Sequence, residues 1–143
     1  MNRWTVVGIL TILMSGCIFQ QTISTTVPND LDIIYRNGSC KAEWGQTQME
    51  IFANGTTVKG NVTSRVSQSE LLQTLNEIEK SGFYSLNEHY SNLEVHEGSC
   101  KFISVTANNR TKTVAVSNMP SPESFSIAAD AIYNTVTVTD YVD

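Results

Sequence analysis

The side chains best suited to chemistry fall in one short run. Glu88, His89, Glu94, His96 and Glu97 lie close together in the chain, and imidazole with carboxylate is a donor set for zinc or another divalent cation. Their spacing follows neither the closed Cys/His patterns of structural zinc nor the His-Glu-x-x-His of zinc hydrolases. A solvated acidic loop over residues 87–99 explains the same residues more simply. His89, His96, Glu94 and Glu97 stand as the metal candidates, and a metal- or small-ligand-binding role is the alternative reading of function. Elsewhere the carboxylates are scattered, with no Gly-x-Ser-x-Gly and no phosphate loop. The expectation is a protein with no catalytic residues and no cofactor, not an enzyme; an envelope hydrolase is the least supported reading.

Three cysteines come next. Cys17 follows Arg3, an apolar run from Trp4 to Met14, and the small residues Ser15 and Gly16. A positive start, an apolar stretch and small residues at a cut site make a secretory signal. The run is too short for a spanning helix, which needs about 20 apolar residues. The layout resembles prokaryotic lipoprotein signals, with Met14 where a branched aliphatic is usual. Cleavage before Cys17 would leave that residue first in the mature chain, and its acyl chains would be the anchor. An uncleaved N-terminal anchor and simple cleaved secretion are the alternatives, and all three place the domain outside the cytoplasm. Cys40 and Cys100 then remain. In an oxidising compartment they read as a disulfide, with unpaired thiols or a catalytic thiol as the other options. Neither has a C-x-x-C partner to resolve a reactive thiol.

Four asparagines sit in N-glycosylation acceptor patterns: Asn37-Gly-Ser39, Asn54-Gly-Thr56, Asn61-Val-Thr63 and Asn109-Arg-Thr111. A chain this rich in Asn, Ser and Thr scatters such matches by chance. They nevertheless fall at expected turns or strand ends.

These residues need elements to hold them. Residues 1–16 are the signal, 17–30 a Ser/Thr/Gln-rich tether, and 31–139 one α+β domain. The net charge is −5 for the full chain. Losing Arg3 makes the mature form more acidic, and no Lys/Arg cluster offers a nucleic-acid surface. Residues 31–36 read as a first short strand. Met49, Ile51 and Ala53 alternate with polar residues up to Asn54-Gly55, a strong hairpin signal. The return strand spans 56–66 with a break at Gly60. Ser67-x-x-Glu70 has capping-box spacing. Leu71, Leu72, Leu75 and Ile78 then form a helix face that Ser81-Gly82 ends. A second hairpin, 100–107 and 111–116, turns at Asn108-Asn109. A second helix from Glu123 to Thr135 presents Phe125, Ala128, Ala129, Ile132 and Val136, and residues 136–139 fray or form an edge strand. The expected fold is an antiparallel sheet of two hairpins and a first short strand, packed against two helices. Gly38-Ser39-Cys40-Lys41 recurs as Gly98-Ser99-Cys100-Lys101, which raises a ββα-ββα pseudo-repeat with the cysteines at equivalent hairpin entries.

At Tyr35-Arg36, Gly38-x-Cys40, Asn54-Gly55, Phe83-x-x-Leu86-x-x-x-Tyr90 and Lys112-x-Val114 the domain resembles a family of uncharacterised domains in prokaryotic envelope lipoproteins. The resemblance covers about residues 31–136 and implies fold and location without an activity. Members often carry a second cysteine and a proline just after the first. Trp44 and Gly45 follow here instead, so the resemblance implies that Cys40 pairs with Cys100. The functional expectation is a non-catalytic domain on the extracytoplasmic face of the cell membrane. It is held there by lipid and binds another envelope protein or component.

Overall fold

The computed structural model describes residues 24–40, 47–94 and 98–137. Strands are β1 (Asp32–Ser39), β2 (Thr47–Phe52), β3 (Thr56–Lys59), β4 (Val62–Arg65), β5 (His89–Ser91), β6 (Ser99–Ala107) and β7 (Arg110–Ser117). Helices are α1 (Gln68–Lys80) and α2 (Glu123–Thr137), with a 3-10 turn at Phe83–Ser85. The strands form one seven-stranded sheet in the order β4-β3-β2-β1-β6-β7-β5. Every pairing is antiparallel except β5 with β7. The fold is α+β, as the sequence indicates.

Residues alternate between faces along a strand, and here one face is buried and the other is not. Ile33, Tyr35, Met49, Ile51, Ile103, Val105, Val114 and Val116 point into the core. Leu71, Leu75 and Ile78 of α1 and Phe125, Ala128, Ile132 and Val136 of α2 meet them there, with Phe83. Both helices therefore cover the same side. The helices touch through Thr74 and Thr135, whose hydroxyls lie 2.5 Å apart.

The first strand is not short. It has eight residues and lies mid-sheet, paired with β2 on one side and β6 on the other. Residues 31–36 miss its last three, because Asn37, Gly38 and Ser39 lack strand propensity and are held by pairing, Asn37 with both β2 and β6 and Gly38 and Ser39 with β6.

Each turn uses the chemistry its geometry demands. Asn108 and Asn109 both take positive φ, 54° and 58°, as a two-residue type I′ turn requires. Gly60, the first of two loop residues, takes φ 59°, matching type II′. At Asn54-Gly55 only the glycine is left-handed, at φ 86°. Ala53, Asn54 and Gly55 form a three-residue loop in which Gly55 N donates to Phe52 O at 2.9 Å. A Cβ on Gly55 would strike the Val66 carbonyl oxygen. Asn54 Oδ1 accepts from Thr56 N at 2.9 Å.

The capping box forms. Ser67 Oγ accepts from Glu70 N at 3.2 Å, and Glu70 Oε2 accepts from Ser67 N at 2.7 Å. Gly82, at φ 84°, takes the chain out of α1. Helix α2 runs to Thr137 rather than ending at 135; residues 138 and 139 lie outside the described residues.

Contacts with the fold reach back into the tether. Val27 packs against the core. Asn76 Nδ2 donates to Ser24 O at 3.4 Å. Asp30 Oδ1 and Oδ2 accept from Asn108 N and Asn109 N at 2.8 and 2.6 Å, tying the chain entry to the β6–β7 turn. These two amides pull the Asp30 carboxyl below its usual range. Among the described residues no helix is long and apolar enough to cross a membrane.

Candidate functional site

Among the described residues no helix lies over the second sheet face. The register sets its side chains in cross-strand rows. Val58, Glu50, Ile34, Ser104 and Thr113 make one row, and Phe52, Asp32, Thr106 and Thr111 the next. Gln48, Arg36, Phe102 and Ala115 make a third. The β6–β7 half is a hydroxyl ladder, with Ser104 Oγ and Thr113 Oγ1 at 3.0 Å and Thr106 Oγ1 and Thr111 Oγ1 at 2.9 Å. The β1–β2 half mixes Ile34 and Phe52 with charge. The Arg36 guanidinium sits 5.4 Å from the centre of the Phe102 ring, and Gln48 Nε2 donates to Glu50 Oε1.

Asp32 is the strained member of this face. Its Oδ1 is shielded from solvent and has no hydrogen-bond partner among the described residues. Burial, and then the nearby Glu50 carboxylate, push its carboxyl above the ordinary value. Such a group costs stability unless something compensates it.

Cys40 and Cys100 close one end of the same face as a disulfide, with Cα atoms 4.8 Å apart. Gly38 lies opposite Cys100 and Ser39 opposite Ser99, and Cys40 N donates to Gly98 O at 3.0 Å. The two Gly-Ser-Cys copies therefore pair with each other, antiparallel, about Ser39 and Ser99. The glycine facing each cysteine has no side chain to obstruct the diagonal bond. The cysteines are not at equivalent hairpin entries: Cys40 leaves the end of β1, whereas Cys100 sits at the start of β6. Sulfur bonded to sulfur leaves neither residue as a free thiol. Arg36, Cys100, Phe102, Ala115 and Ser117 line a cleft of about 230 Å³ beside the bond.

A larger cleft, about 540 Å³, lies at one end of the helix layer between Glu79, Tyr84, Ala107, Arg110 and Lys112. Burial, then Glu79, pushes the Tyr84 hydroxyl up to about 12. Lys112 Nζ donates to Leu86 O at 2.6 Å, and Tyr90 Oη accepts from Asn87 N at 3.0 Å. Phe83 and Val114 are core residues. The Phe…Leu…Tyr and Lys-x-Val positions thus tie the 83–91 segment to β7.

Of the metal candidates, Glu88, His89 and Glu94 lie among the described residues, and they do not form a metal-binding group there. The stretch expected to be a solvated loop contains β5, because His89, Tyr90 and Ser91 pair with Ala115, Val116 and Ser117, and Ala115 N donates to Glu88 O at 2.8 Å. The edge of β7 supplies these bonds, and three residues are too few to show a periodicity. Glu88, His89 and Glu94 are exposed; His96 and Glu97 lie outside the described residues. Among the described residues no three of His, Cys, Asp and Glu come together to hold a metal ion. Cys17 also lies outside them.

The acceptor asparagines separate by environment. Asn54, Asn61 and Asn109 are exposed at turns. Asn37 is half-buried in β1 between Thr47 and Lys101, and its side chain bonds the Tyr35 hydroxyl.

Sequence reasoning missed Asp32, Arg36, Glu50 and Phe102 as members of one surface. Strand parity puts Asp32, Ile34 and Arg36 together, but only the pairing of β1 with both β2 and β6 brings Glu50 and Phe102 alongside. No family model and no curated protein matches the chain.

Proposed function

We propose that this is a lipid-anchored extracytoplasmic domain that binds another envelope protein without catalysis, through the sheet face that the helices leave open. The leader from Arg3 to Cys17 supports the anchor, and the Cys40–Cys100 bond fits an oxidising compartment. The observation that carries the binding reading is the composition of the open face. Ile34, Phe52 and Phe102 interleave there with Asp32, Glu50 and Arg36. Aromatic residues and arginine are enriched at protein interfaces relative to the rest of a surface, and Phe52, Phe102 and Arg36 supply them here.

In-cell crosslinking on intact membranes tests it, comparing wild type with an Arg36→Glu/Phe102→Glu variant and an Ile127→Ser control on the exposed side of α2. A crosslinked partner kept by wild type and control and lost from the double variant is the expected result. Equal capture by all three, or no partner above background, refutes the reading.

A further inference from the structure

We infer that Asn61 is an N-glycosylation site. The inference rests on the export proposed above, since glycan transfer of this kind takes place outside the cytoplasm. The four acceptor patterns are equal in sequence and unequal in structure. A transferase must grip the acceptor as an extended backbone from the asparagine to the hydroxyl residue two positions on. In Asn61-Val62-Thr63 the last two residues are already extended on β4, and Asn61 leads into them directly from the turn without a left-handed φ. Asn61 is exposed in the two-residue turn between β3 and β4, and Val62 and Thr63 are exposed on β4. Val62 is 55% accessible. Strand β4 is an edge of the sheet, and among the described residues no strand pairs with its outer side. An enzyme can approach it without unfolding anything.

Asn37 is the opposite case. Its strand is paired on both sides and its side chain is engaged with Tyr35, so modification there would require opening the middle of the sheet. Asn54 has its side-chain oxygen held by Thr56 N. Asn109 is exposed, but its backbone N–H is locked onto Asp30 and its left-handed φ of 58° prevents an extended start.

The chemistry needs one co-reactant, an oligosaccharide linked through phosphate to a membrane lipid. The Asn61 side-chain nitrogen bonds to the anomeric carbon and gives up one proton. The bond from that carbon to the phosphate oxygen breaks, and the lipid phosphate leaves with the electron pair. A glycan at this turn would stand beside β4 and block pairing along the open edge, which is otherwise a template for association.

Trypsin separates the four candidates. Cleavage after arginine and lysine places Asn37 in residues 37–41, Asn54 in 42–59, Asn61 in 60–65 and Asn109 in 102–110. The experiment is mass spectrometry of reduced tryptic peptides from the full-length protein extracted from its native membranes, with Thr63→Ala as the comparison. The expected result is sugar mass on peptide 60–65, lost in Thr63→Ala, and none on 37–41. An unmodified 60–65 peptide, or sugar on 37–41, overturns the inference. Acyl mass on the peptide that begins at Cys17 reports anchoring independently. An acylated chain with a bare Asn61 therefore refutes the glycan alone, and a chain lacking both refutes the anchor as well.

Discussion

Replacing Asp32 by asparagine should stabilise the domain. Asp32 Oδ1 is shielded and has no partner among the described residues, and its neighbour Glu50 adds like charge. Leaving a buried acceptor unsatisfied costs about 1–3 kcal/mol. Asp32 is only half-buried, so solvent screens part of that cost, and an amide oxygen in the same place stays unpaired. The gain belongs to the lost charge and should be about 1 kcal/mol at pH 7, the low end of that range. The pH dependence carries the sharper test. The folded carboxyl titrates above its ordinary 3.8, so the folded state binds the proton more tightly than the unfolded state. The penalty is absent below 3.8, grows as pH rises through the folded value and is complete above it. The difference between Asp32→Asn and wild type should therefore be small at pH 3 and largest at pH 6 to 8. Urea unfolding at matched ionic strength over that range measures it, and the subtraction removes every group the two proteins share. A variant less stable than wild type at pH 7, or a difference that does not change with pH, refutes the reasoning. A stabilised variant that also loses its crosslinked partner would identify Asp32 as a group kept for binding at a cost to the fold.

Three further outcomes follow from the structure. Changing Cys40 and Cys100 to serine frees a loop with a sequence separation of 60 and should cost about 4 kcal/mol in the chain-entropy account; a loss under about 1 kcal/mol in urea unfolding contradicts it. Ser67→Ala removes the acceptor for Glu70 N and should cost about 1 kcal/mol, seen as a lower midpoint with an unchanged m-value. Asp30→Asn weakens the anchor on the β6–β7 turn, so the Asn108 and Asn109 amides should exchange faster in hydrogen-exchange NMR. Because the Asp30 carboxyl is held below 3.8, its contribution is present above that pH and fades as pH falls through the folded value, so wild type and variant should converge in acid.

Local chemistry was legible wherever a side chain acts on its own backbone. Ser67 and Glu70 announce the start of α1, Gly82 announces its end, and Asn108-Asn109 the second hairpin turn. The apolar spacings of both helices map onto the buried positions, apart from partly exposed Leu72 and Ala129 and the added burial of Thr74 and Ala131. Thr74 shows why such additions escape detection: its hydroxyl bonds Glu70 O within α1 at 2.8 Å and meets Thr135 of α2, and only the second helix makes its burial worthwhile. Non-local pairing was not legible. Nothing within residues 87–99 indicates that His89–Ser91 would find the edge of β7. Nothing within 31–39 indicates that β1 would have a strand on each side. Those facts depend on which edges remain open after the hairpins form, and a window of sequence does not contain that information.

The recurrence of Gly-Ser-Cys takes a different meaning from this pairing. Read along the chain, two copies at the heads of two hairpins suggest duplication. In the sheet the first copy ends a strand and the second begins one, and they face each other. Pairing a motif with itself in antiparallel sense generates a local two-fold axis, here between Ser39 and Ser99. Each element of the motif then has a reason in the other copy: the cysteines reach one another diagonally, and each glycine clears the space opposite a cysteine. Gly98 is constrained further, because a Cβ there would collide with the Asn118 side chain. The order strand, turn, strand, helix does occur twice, in β2-β3 before α1 and β6-β7 before α2, but the interposed β4 and β5 show that the halves need not share an origin to share this order. The physical requirement is narrower. The two central strands, which hold the open face together, are joined by a covalent bond at the end away from the Asp30 anchor. The face between those two points is tied at both ends, by the disulfide and by the Asp30 hydrogen bonds, which lowers the ordering entropy a docking partner would have to overcome.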